Sequence, residues 1–218
     1  RVLASNEFKI SFSKSTIEQV NWNVEWEKNF HPIYIDTRCT IRAPFHLKTK
    51  SEIDIIIEPK MSFGTGHHAT TYQISEYLLD EDCEDKIVLD MGCGTGVLGI
   101  LASIRGAKSV DFIDIDPWCI ENTEENLDRN SAKGKVILGG ADKIEASYDL
   151  ILANINRNIL LKDMPIYTSH LNYNGVIYFS GFYKEDLKMI KEEALVNGLT
   201  FVKYQLKDNW VAAKFTKI

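Results

Sequence analysis

The segment at residues 90–96, DMGCGTG, combines an acid with three glycines. The apolar residues before it predict a buried strand, and those after it predict a helix. Glycines in such a loop permit positive φ and let the backbone approach a ligand closely, while the following helix offers unpaired N–H groups. In an open α/β sheet, such a loop lies at the carboxyl ends of the strands, where ligands bind. We therefore expect a small-molecule site here.

The acids near this loop discriminate between two cofactor classes. Residues 94–99 match the GxGxxG pattern of dinucleotide-binding proteins, which alone is weak evidence. The Asp90 carboxylate would repel a pyrophosphate but attract the ammonium of S-adenosylmethionine, which carries no phosphate. Asp114 ends the next strand, where a carboxylate can accept hydrogen bonds from ribose hydroxyls. The pattern favours S-adenosylmethionine, bound by Asp90, Gly92, Gly94, Gly96 and Asp114.

Two more strand ends carry polar candidates. Asp142 follows the third strand, where it would flank an adenine, although an exposed loop acid explains it equally well. Asn154 ends the fourth strand, and its amide carbonyl can accept a hydrogen from an amine without becoming protonated. Since methylation of an amine depends largely on alignment, we expect Asn154 to be catalytic. The alternative for Asn154 is a plain strand-end cap.

The histidines and cysteines do not suggest a metal site. His67 and His68 are adjacent, so their side chains diverge, and no acid or cysteine completes a ligand set. The cysteines show no CxxC spacing, and we expect them to be small buried hydrophobes in a reduced, cytoplasmic protein. They are Cys39, Cys83, Cys93 and Cys119.

Strands and helices alternate from residue 70 onward. The predicted strands are Ile87–Asp90, Ser109–Ile113, Lys135–Leu138, Asp149–Ala153 and Val176–Ser180, and the predicted helices are Thr70–Leu79, Gly96–Arg105, Asp116–Asn130, Arg157–Ser169 and Lys184–Val196. Thr200–Leu206 and Trp210–Phe215 predict a final hairpin. This order indicates an α/β fold with a mostly parallel Rossmann-like sheet, helices on both faces and an antiparallel carboxy-terminal hairpin at one edge.

The segment before this alternation is less regular. Phe8–Phe12 predicts a short strand, Asn21–Phe30 a helix, and Thr40–Pro44 and Ile53–Glu58 two further strands. The 218 residues suggest one large domain with a small appendage. A net charge of -6 disfavours nucleic-acid binding and suits a basic partner. No apolar run is long enough to span a membrane, so no membrane partner is expected.

Several motifs together resemble one protein family. The stretch FGTGHHATT at residues 63–71 is similar to the FGTGxHxTT element of the PrmA-type methyltransferases, which modify ribosomal protein L11. The same family shows a tryptophan-rich segment like Trp22–Pro32, a DxGCGxG loop like residues 90–96, a DIDP turn like Asp114–Pro117 and a strand ending in ANI like Ala153–Ile155. These motifs occur in order between about residue 20 and the end of the chain.

The resemblance implies S-adenosylmethionine as cofactor, held by Thr71, Gly92, Asp114 and Asn154, with Phe63 and Gly64 of the first motif nearby. It also implies methylation of the α-amino group and of lysine ε-amino groups of ribosomal protein L11. Residues 1–20 are then expected to be the remnant of a substrate-recognition domain, 21–60 a linker and 61–218 the catalytic domain. Ala69 departs from the proline of many relatives.

Other functions remain compatible with the same fold. One is a methyltransferase for RNA or a small molecule, since fold does not determine substrate. However, neither a proline nor an aromatic residue follows Asn154, which disfavours a flipped base. The other is a cofactor-binding module that contacts the ribosome and has no catalytic activity.

Overall fold

The computed structural model describes residue 27 and residues 29–218. The predicted strand at Phe8–Phe12 lies outside the described residues, as does the predicted helix at Asn21–Phe30 apart from residues 27, 29 and 30. The chain divides into two compact units, Arg1–His31 and Pro32–Ile218, and the fold of the second is described below. The division into a remnant, a linker and a catalytic domain stays a prediction.

A small sheet opens the second unit. Its strands are β1 Ile33–Ile35, β2 Cys39–Arg42 and β3 Ile53–Ile56. β1 runs antiparallel to β2, whereas β2 and β3 are parallel. The guanidinium of Arg42 and the carboxylate of Asp54 form a two-pronged, largely buried ion pair across β2 and β3, with bonds of 2.8 and 2.9 Å. The sequence predicted β2 and β3 but not the three-residue β1.

A larger sheet forms the centre of this unit. Its strands are β4 Ile87–Met91, β5 Ser109–Asp114, β6 Lys135–Leu138, β7 Tyr148–Asn154, β8 Leu171–Tyr183, β9 Leu199–Lys207 and β10 Trp210–Lys217. The helices are α1 Ala69–Asp80, α2 Val97–Ile104, α3 Pro117–Arg129, α4 Arg157–His170 and α5 Leu187–Val196, with 3-10 turns at Ala141–Lys143 and Lys184–Asp186. Each predicted helix and strand from residue 70 onward is present, with bounds that mostly differ by one or two residues.

The strand order is β6-β5-β4-β7-β8-β10-β9. The first five strands in this order are parallel, and β10 runs antiparallel to both of its neighbours. The predicted fold class is therefore confirmed. Because the chain moves outward from β4 to β6 and then returns to β7, the order reverses beside β4. Ligands bind at such a reversal, outside the carboxyl ends of the strands.

The core consists of two apolar layers, one on each face of the large sheet. Val88 belongs to the layer that contains residues of α1 and α2, whereas the next residue, Leu89, belongs to the layer that contains residues of α4 and α5. Successive strand residues point to opposite faces, so burial on both faces requires a continuous apolar run. This explains why the central strands showed no polar alternation in the sequence.

Two features of the sheet differ from the sequence-based expectation. β8 begins at Leu171 rather than Val176, because its first half contains asparagines and a glycine that are untypical of a strand. The hairpin does not simply add to the edge: β10 lies between β8 and β9, so its residues Val211, Ala212 and Ala213 are completely buried. A local pattern cannot show which strand of a hairpin pairs with the sheet.

The expected burial of the cysteines is confirmed, because all four are buried. Among the helices of the described region, none combines the length and apolar character that crossing a bilayer requires.

Candidate active site

A cavity of about 850 Å³ lies at the carboxyl ends of β4, β5 and β7. Its volume lies within the range of small-molecule sites. Six of the residues predicted to bind the cofactor line it, namely Phe63, Gly92, Gly94, Asp114, Asp142 and Asn154. The other four, Gly64, Thr71, Asp90 and Gly96, lie outside its lining. The tertiary structure thus gathers most of the predicted site, from five separate parts of the chain, around one cavity.

The glycine loop between β4 and α2 forms one wall of the cavity. Gly92 and Gly94 have φ values of 68° and 57°, which glycine adopts without the steric penalty of a side chain. A Cβ on Gly94 would lie 2.2 Å from the carbonyl oxygen of Phe63. Glycine is therefore needed at position 94 for two reasons, its φ and the close approach of another segment. Gly96 is the N-cap of α2, behind this wall.

Asp90 lies behind the loop. Its side chain is only 2% exposed, and its Oδ2 accepts a 2.8 Å hydrogen bond from the backbone N–H of Gly99. Burial raises the pKa of Asp90 to about 7, although the bond from Gly99 opposes this shift. In this geometry Asp90 fastens the first turn of α2 to β4. Its predicted attraction for a ligand ammonium stays a prediction.

Asp114 lies at the cavity wall and fixes two loops. Its Oδ2 accepts a 2.9 Å hydrogen bond from the N–H of Gly94, and its Oδ1 accepts a 3.0 Å bond from the N–H of Asp116. Each carboxylate oxygen can accept a second hydrogen bond. Asp114 is therefore able to shape the loop and still bind ribose hydroxyls, as the sequence predicts.

Asn154 presents an unsatisfied acceptor. Its Nδ2 donates a 3.3 Å hydrogen bond to Oγ1 of Thr71, which is buried in the first turn of α1. Its Oδ1 is buried and has no partner within the described part of the chain. A buried carbonyl without a hydrogen bond costs about 1–3 kcal/mol, so this oxygen is suited to an N–H donor of a bound molecule. Thr71 thus acts through Asn154 rather than at the cavity surface.

The segment at residues 61–68 is fastened to the glycine loop by Thr95. The N–H of Thr95 donates to the carbonyl of Phe63 at 2.9 Å, and its hydroxyl donates to the carbonyl of Gly64 at 2.7 Å. Through these bonds the Phe63 ring is placed at the cavity, although it is about 30 residues away in sequence from the loop. The unusual motif at residues 63–71 therefore builds a second wall of the same site.

Asp142 lies at one end of the cavity. This end is formed by the carboxyl end of β5 and by the Ala141–Lys143 turn. Its side chain is exposed and lies 3.6 Å from the Lys143 ammonium. Ile115 and Trp118, which are 64% and 53% exposed, line the same cavity and were missed by the sequence analysis. Their apolar surfaces next to a strand-end acid are the signal that would have identified them. Together these residues form a slot suited to a planar base.

His68 and Trp210 form part of the cavity lining that the sequence analysis did not anticipate. The His68 ring contacts the rings of Phe63 and Trp210 edge-on, with centroid distances of 5.1 and 4.7 Å. The sequence analysis considered His68 only as a metal ligand. Trp210 could not be foreseen, because it reaches the site only through the insertion of β10 between β8 and β9.

A group of potential metal ligands also lies here. One ligand atom from each of Asp114, Asp116 and Cys119 lies within 4.8 Å of the others. Burial raises the pKa of the Cys119 thiol. This group contains neither His67 nor His68. Acidic groups of this kind are common without an ion, and we assign no metal to it.

Comparisons with known proteins identify the family. Residues 2–218 match the family model described as ribosomal protein L11 methyltransferase (PrmA). A protein of that name from Porphyromonas gingivalis is 49% identical over 211 residues, which are 94% of this chain and 72% of the relative. Another from Phocaeicola vulgatus is 47% identical over 212 residues, which are 95% of this chain and 75% of the relative. The chain belongs to this family.

A solved structure agrees with the assignment to the L11 methyltransferase family. The crystal structure of the ribosomal protein L11 methylase from Lactobacillus delbrueckii subsp. bulgaricus superimposes on this chain with a TM-score of 0.79 and 27% sequence identity. The aligned region covers 86% of this chain and 99% of the L11 methylase chain. The predicted enzyme class, a methyltransferase that uses S-adenosylmethionine, is confirmed by the family.

The residues of this L11 methyltransferase family member fit the cofactor. Gly92 and Gly94 bring the loop backbone to the cavity wall, and Asp114 retains acceptors for a ribose. The apolar slot of Ile115 and Trp118 is suited to an adenine. When bound, S-adenosylmethionine supplies an electrophilic methyl group on a sulfonium.

Proposed function

We propose that the protein methylates amino groups of ribosomal protein L11, namely its α-amino group and lysine ε-amino groups. The observation that carries this proposal is the family match over residues 2–218, together with relatives of that name at up to 49% identity. The site is consistent with an amine substrate, because Asn154 offers a carbonyl oxygen and no ionisable group.

The chain's part in the reaction is mainly alignment and exclusion of water. An amine attacks a methyl group with its lone pair, and alignment of two reacting groups can contribute about 7–11 kcal/mol to lowering such a barrier. The Asn154 carbonyl holds an N–H of the substrate, while Thr71 fixes the orientation of that amide. The rings of Phe63, His68 and Trp210 make this end of the cavity apolar.

The direct experiment combines the purified protein, tritiated S-adenosylmethionine and purified ribosomal protein L11, in parallel with ribosomal RNA. We expect label on the protein, located by mass spectrometry at amino groups. Label on RNA alone would instead support the nucleic-acid alternative, and cofactor binding without transfer to any ribosomal fraction would support the module without catalytic activity.

The first prediction concerns Asn154→Ala. We expect kcat to fall about 100-fold because the amine loses its alignment, while calorimetry shows a change of less than about fivefold in cofactor affinity. The matched control is Asn172→Ala, at the amino-terminal end of β8, where the amide bonds Asp149. Equal losses of turnover and of cofactor affinity in Asn154→Ala would show that Asn154 serves only the cofactor.

A further inference from the structure

Asp163 is an acid of α4 that lines the cavity. Ile159 and Ile166 line it too, and their spacing of four and three residues from Asp163 places all three on one face of the helix. Leu160 and Met164, which lie on another face of α4, are completely buried in the core layer. The Asp163 side chain therefore belongs to the face of α4 that borders the cavity, and not to the face that packs on the sheet.

The carboxylate of Asp163 lacks the hydrogen bonds that a largely buried acid needs. Its side chain is only 13% exposed, and no N–H or O–H group of residues 29–218 donates a hydrogen bond to it. The Lys162 ammonium lies 3.8 Å away, but the Lys162 side chain is 81% exposed, and such a pair contributes little. A carboxylate in these surroundings is suited to an N–H donor of a bound molecule.

The hydroxyl of Tyr167, one helical turn further along α4, supports this placement of the carboxylate. Burial raises the pKa of Tyr167, and the negative charge of Asp163 contributes to the rise. The Tyr167 hydroxyl is itself buried and has no hydrogen bond within the described part of the chain. The Asp163 carboxylate thus lies close to the protein interior, where water competes little for its lone pairs.

α4 brings Asp163 to the end of the cavity that carries Asp142. The helix packs against the Ala141–Lys143 turn, whose residues Ala141 and Asp142 line the same cavity. Asp142 also has only a weak partner, the exposed ammonium of Lys143 at 3.6 Å. Two carboxylates without strong partners therefore border the end of the cavity that is suited to a planar base.

The direction of α4 shows which part of a ligand Asp163 can meet. α4 connects the parallel strands β7 and β8, so it runs back from the carboxyl ends of the strands. At 1.5 Å per residue, Asp163 lies about 9 Å along the helix from its first residue, Arg157. Asn154 stays at the carboxyl edge, because it is the last residue of β7. Asp163 is therefore placed for the end of the cofactor that is remote from the methyl group.

We propose that Asp163 is a specificity-determining residue that accepts one hydrogen of the adenine amino group of S-adenosylmethionine, while Asp142 accepts the other. This amino group lies at the far end of the cofactor from the sulfonium, and it has two hydrogens for two carboxylates. A base with an oxygen at the same position would turn lone pairs towards two negative charges. The pair therefore selects adenine over hypoxanthine. The inference concerns the cofactor alone, so it goes beyond the proposed function and holds whichever amine is methylated.

The test compares two ligands by calorimetry, S-adenosylhomocysteine and S-inosylhomocysteine, in which an oxygen replaces the amino group. We expect the wild type to bind the adenosyl ligand about 10- to 100-fold more tightly, because hydrogen bonds to charged groups are at stake. Asp163→Asn keeps the shape of the side chain and offers an N–H as well as a carbonyl. The ratio of the two affinities should therefore fall at least about fivefold in this variant. A general loss of fit would weaken both ligands alike and leave the ratio unchanged.

The matched control is Asp128→Asn, which removes the same charge from an exposed site in the last turn of α3, outside the cavity lining. Its ratio should equal that of the wild type. Equal binding of both ligands by the wild type, or an unchanged ratio in Asp163→Asn, would overturn the proposal. A ratio that falls in Asp142→Asn but not in Asp163→Asn would also overturn it, because Asp142 alone would then recognise the base. No substrate is present in these measurements, so a failure to methylate ribosomal protein L11 would refute the proposed function without affecting this result.

Discussion

At the scale of single residues, Asp90 and Asp114 show how similar acids acquire different roles. The sequence analysis expected both carboxylates to face the ligand. Asp114 does line the cavity, but Asp90 shares the face of β4 on which Val88 packs, since every second strand residue points to the same side. That face is covered by α2, so the Asp90 carboxylate meets Gly99 instead. The position of the acid along the strand, and not the motif that contains it, decides whether its carboxylate faces the ligand or the covering helix.

The stability of the protein should respond to Asp90→Asn in a pH-dependent way. The folded pKa is about 7, whereas the ordinary value is 3.8, so the folded state binds this proton more tightly than the unfolded state. The contribution of Asp90 to stability is therefore greatest below pH 4 and is lost as the pH rises towards 7. Asparagine cannot ionise, and its Oδ1 can still accept the bond from Gly99.

We expect urea unfolding to show Asp90→Asn to be more stable than the wild type at pH 8, by up to about 4 kcal/mol, with a smaller difference at pH 5. A difference that does not change with pH would contradict this. Calorimetry on the same variant at pH 8 also tests the sequence-based prediction for Asp90. A loss of cofactor affinity would support attraction by its charge, and an unchanged affinity would exclude it.

At the scale of elements, the site depends on the contact between the segment 61–68 and the glycine loop. Thr95 donates two hydrogen bonds to this segment, and Asn126 of α3 donates a 2.9 Å bond to the carbonyl of Thr95. The same Asn126 accepts a bond from the N–H of Glu58. Two walls of the cavity and α3 are therefore held together by one buried network, in which loss of any member leaves a polar group unpaired.

This contact leads to a prediction for Gly94→Ala. Both Gly94 and Gly198 have positive φ, but an added Cβ at Gly94 would lie 2.2 Å from the Phe63 carbonyl, whereas nothing lies within 4 Å of one at Gly198. Gly198→Ala should therefore cost only the backbone strain, about 1–2 kcal/mol in urea unfolding. Gly94→Ala should cost more and should abolish cofactor binding in calorimetry. Similar behaviour of the two variants would show that the contact has no importance for the site.

At the scale of the whole molecule, the net charge of -6 bears on the approach of the substrate. A lysine-rich protein would be attracted to such a surface, and this attraction is screened by salt over distances of about 10 Å at 0.1 M. Charge of this kind mainly affects the rate of association. It does not alter the alignment of groups inside the cavity.

We therefore expect kcat/KM for ribosomal protein L11 to fall as sodium chloride is raised, while kcat remains nearly constant. Initial rates over a range of substrate concentrations at each salt concentration would separate the two constants. Sucrose at matched osmolality serves as the control, because it leaves the ionic strength unchanged. An increase in kcat/KM with salt would indicate that the substrate docks on a surface of its own charge.

The sequence by itself determined the fold class and identified six residues that line the candidate cavity, because an apolar strand, a glycine loop and a helix are local patterns with few structural alternatives. The tertiary structure decided what local patterns do not contain. It placed Asp90 behind the loop, inserted β10 so that Trp210 reaches the cavity, and joined Thr71 to Asn154 across more than 80 residues. These outcomes depend on strand pairing and on which face of a strand is covered, and both are set by contacts between distant parts of the chain.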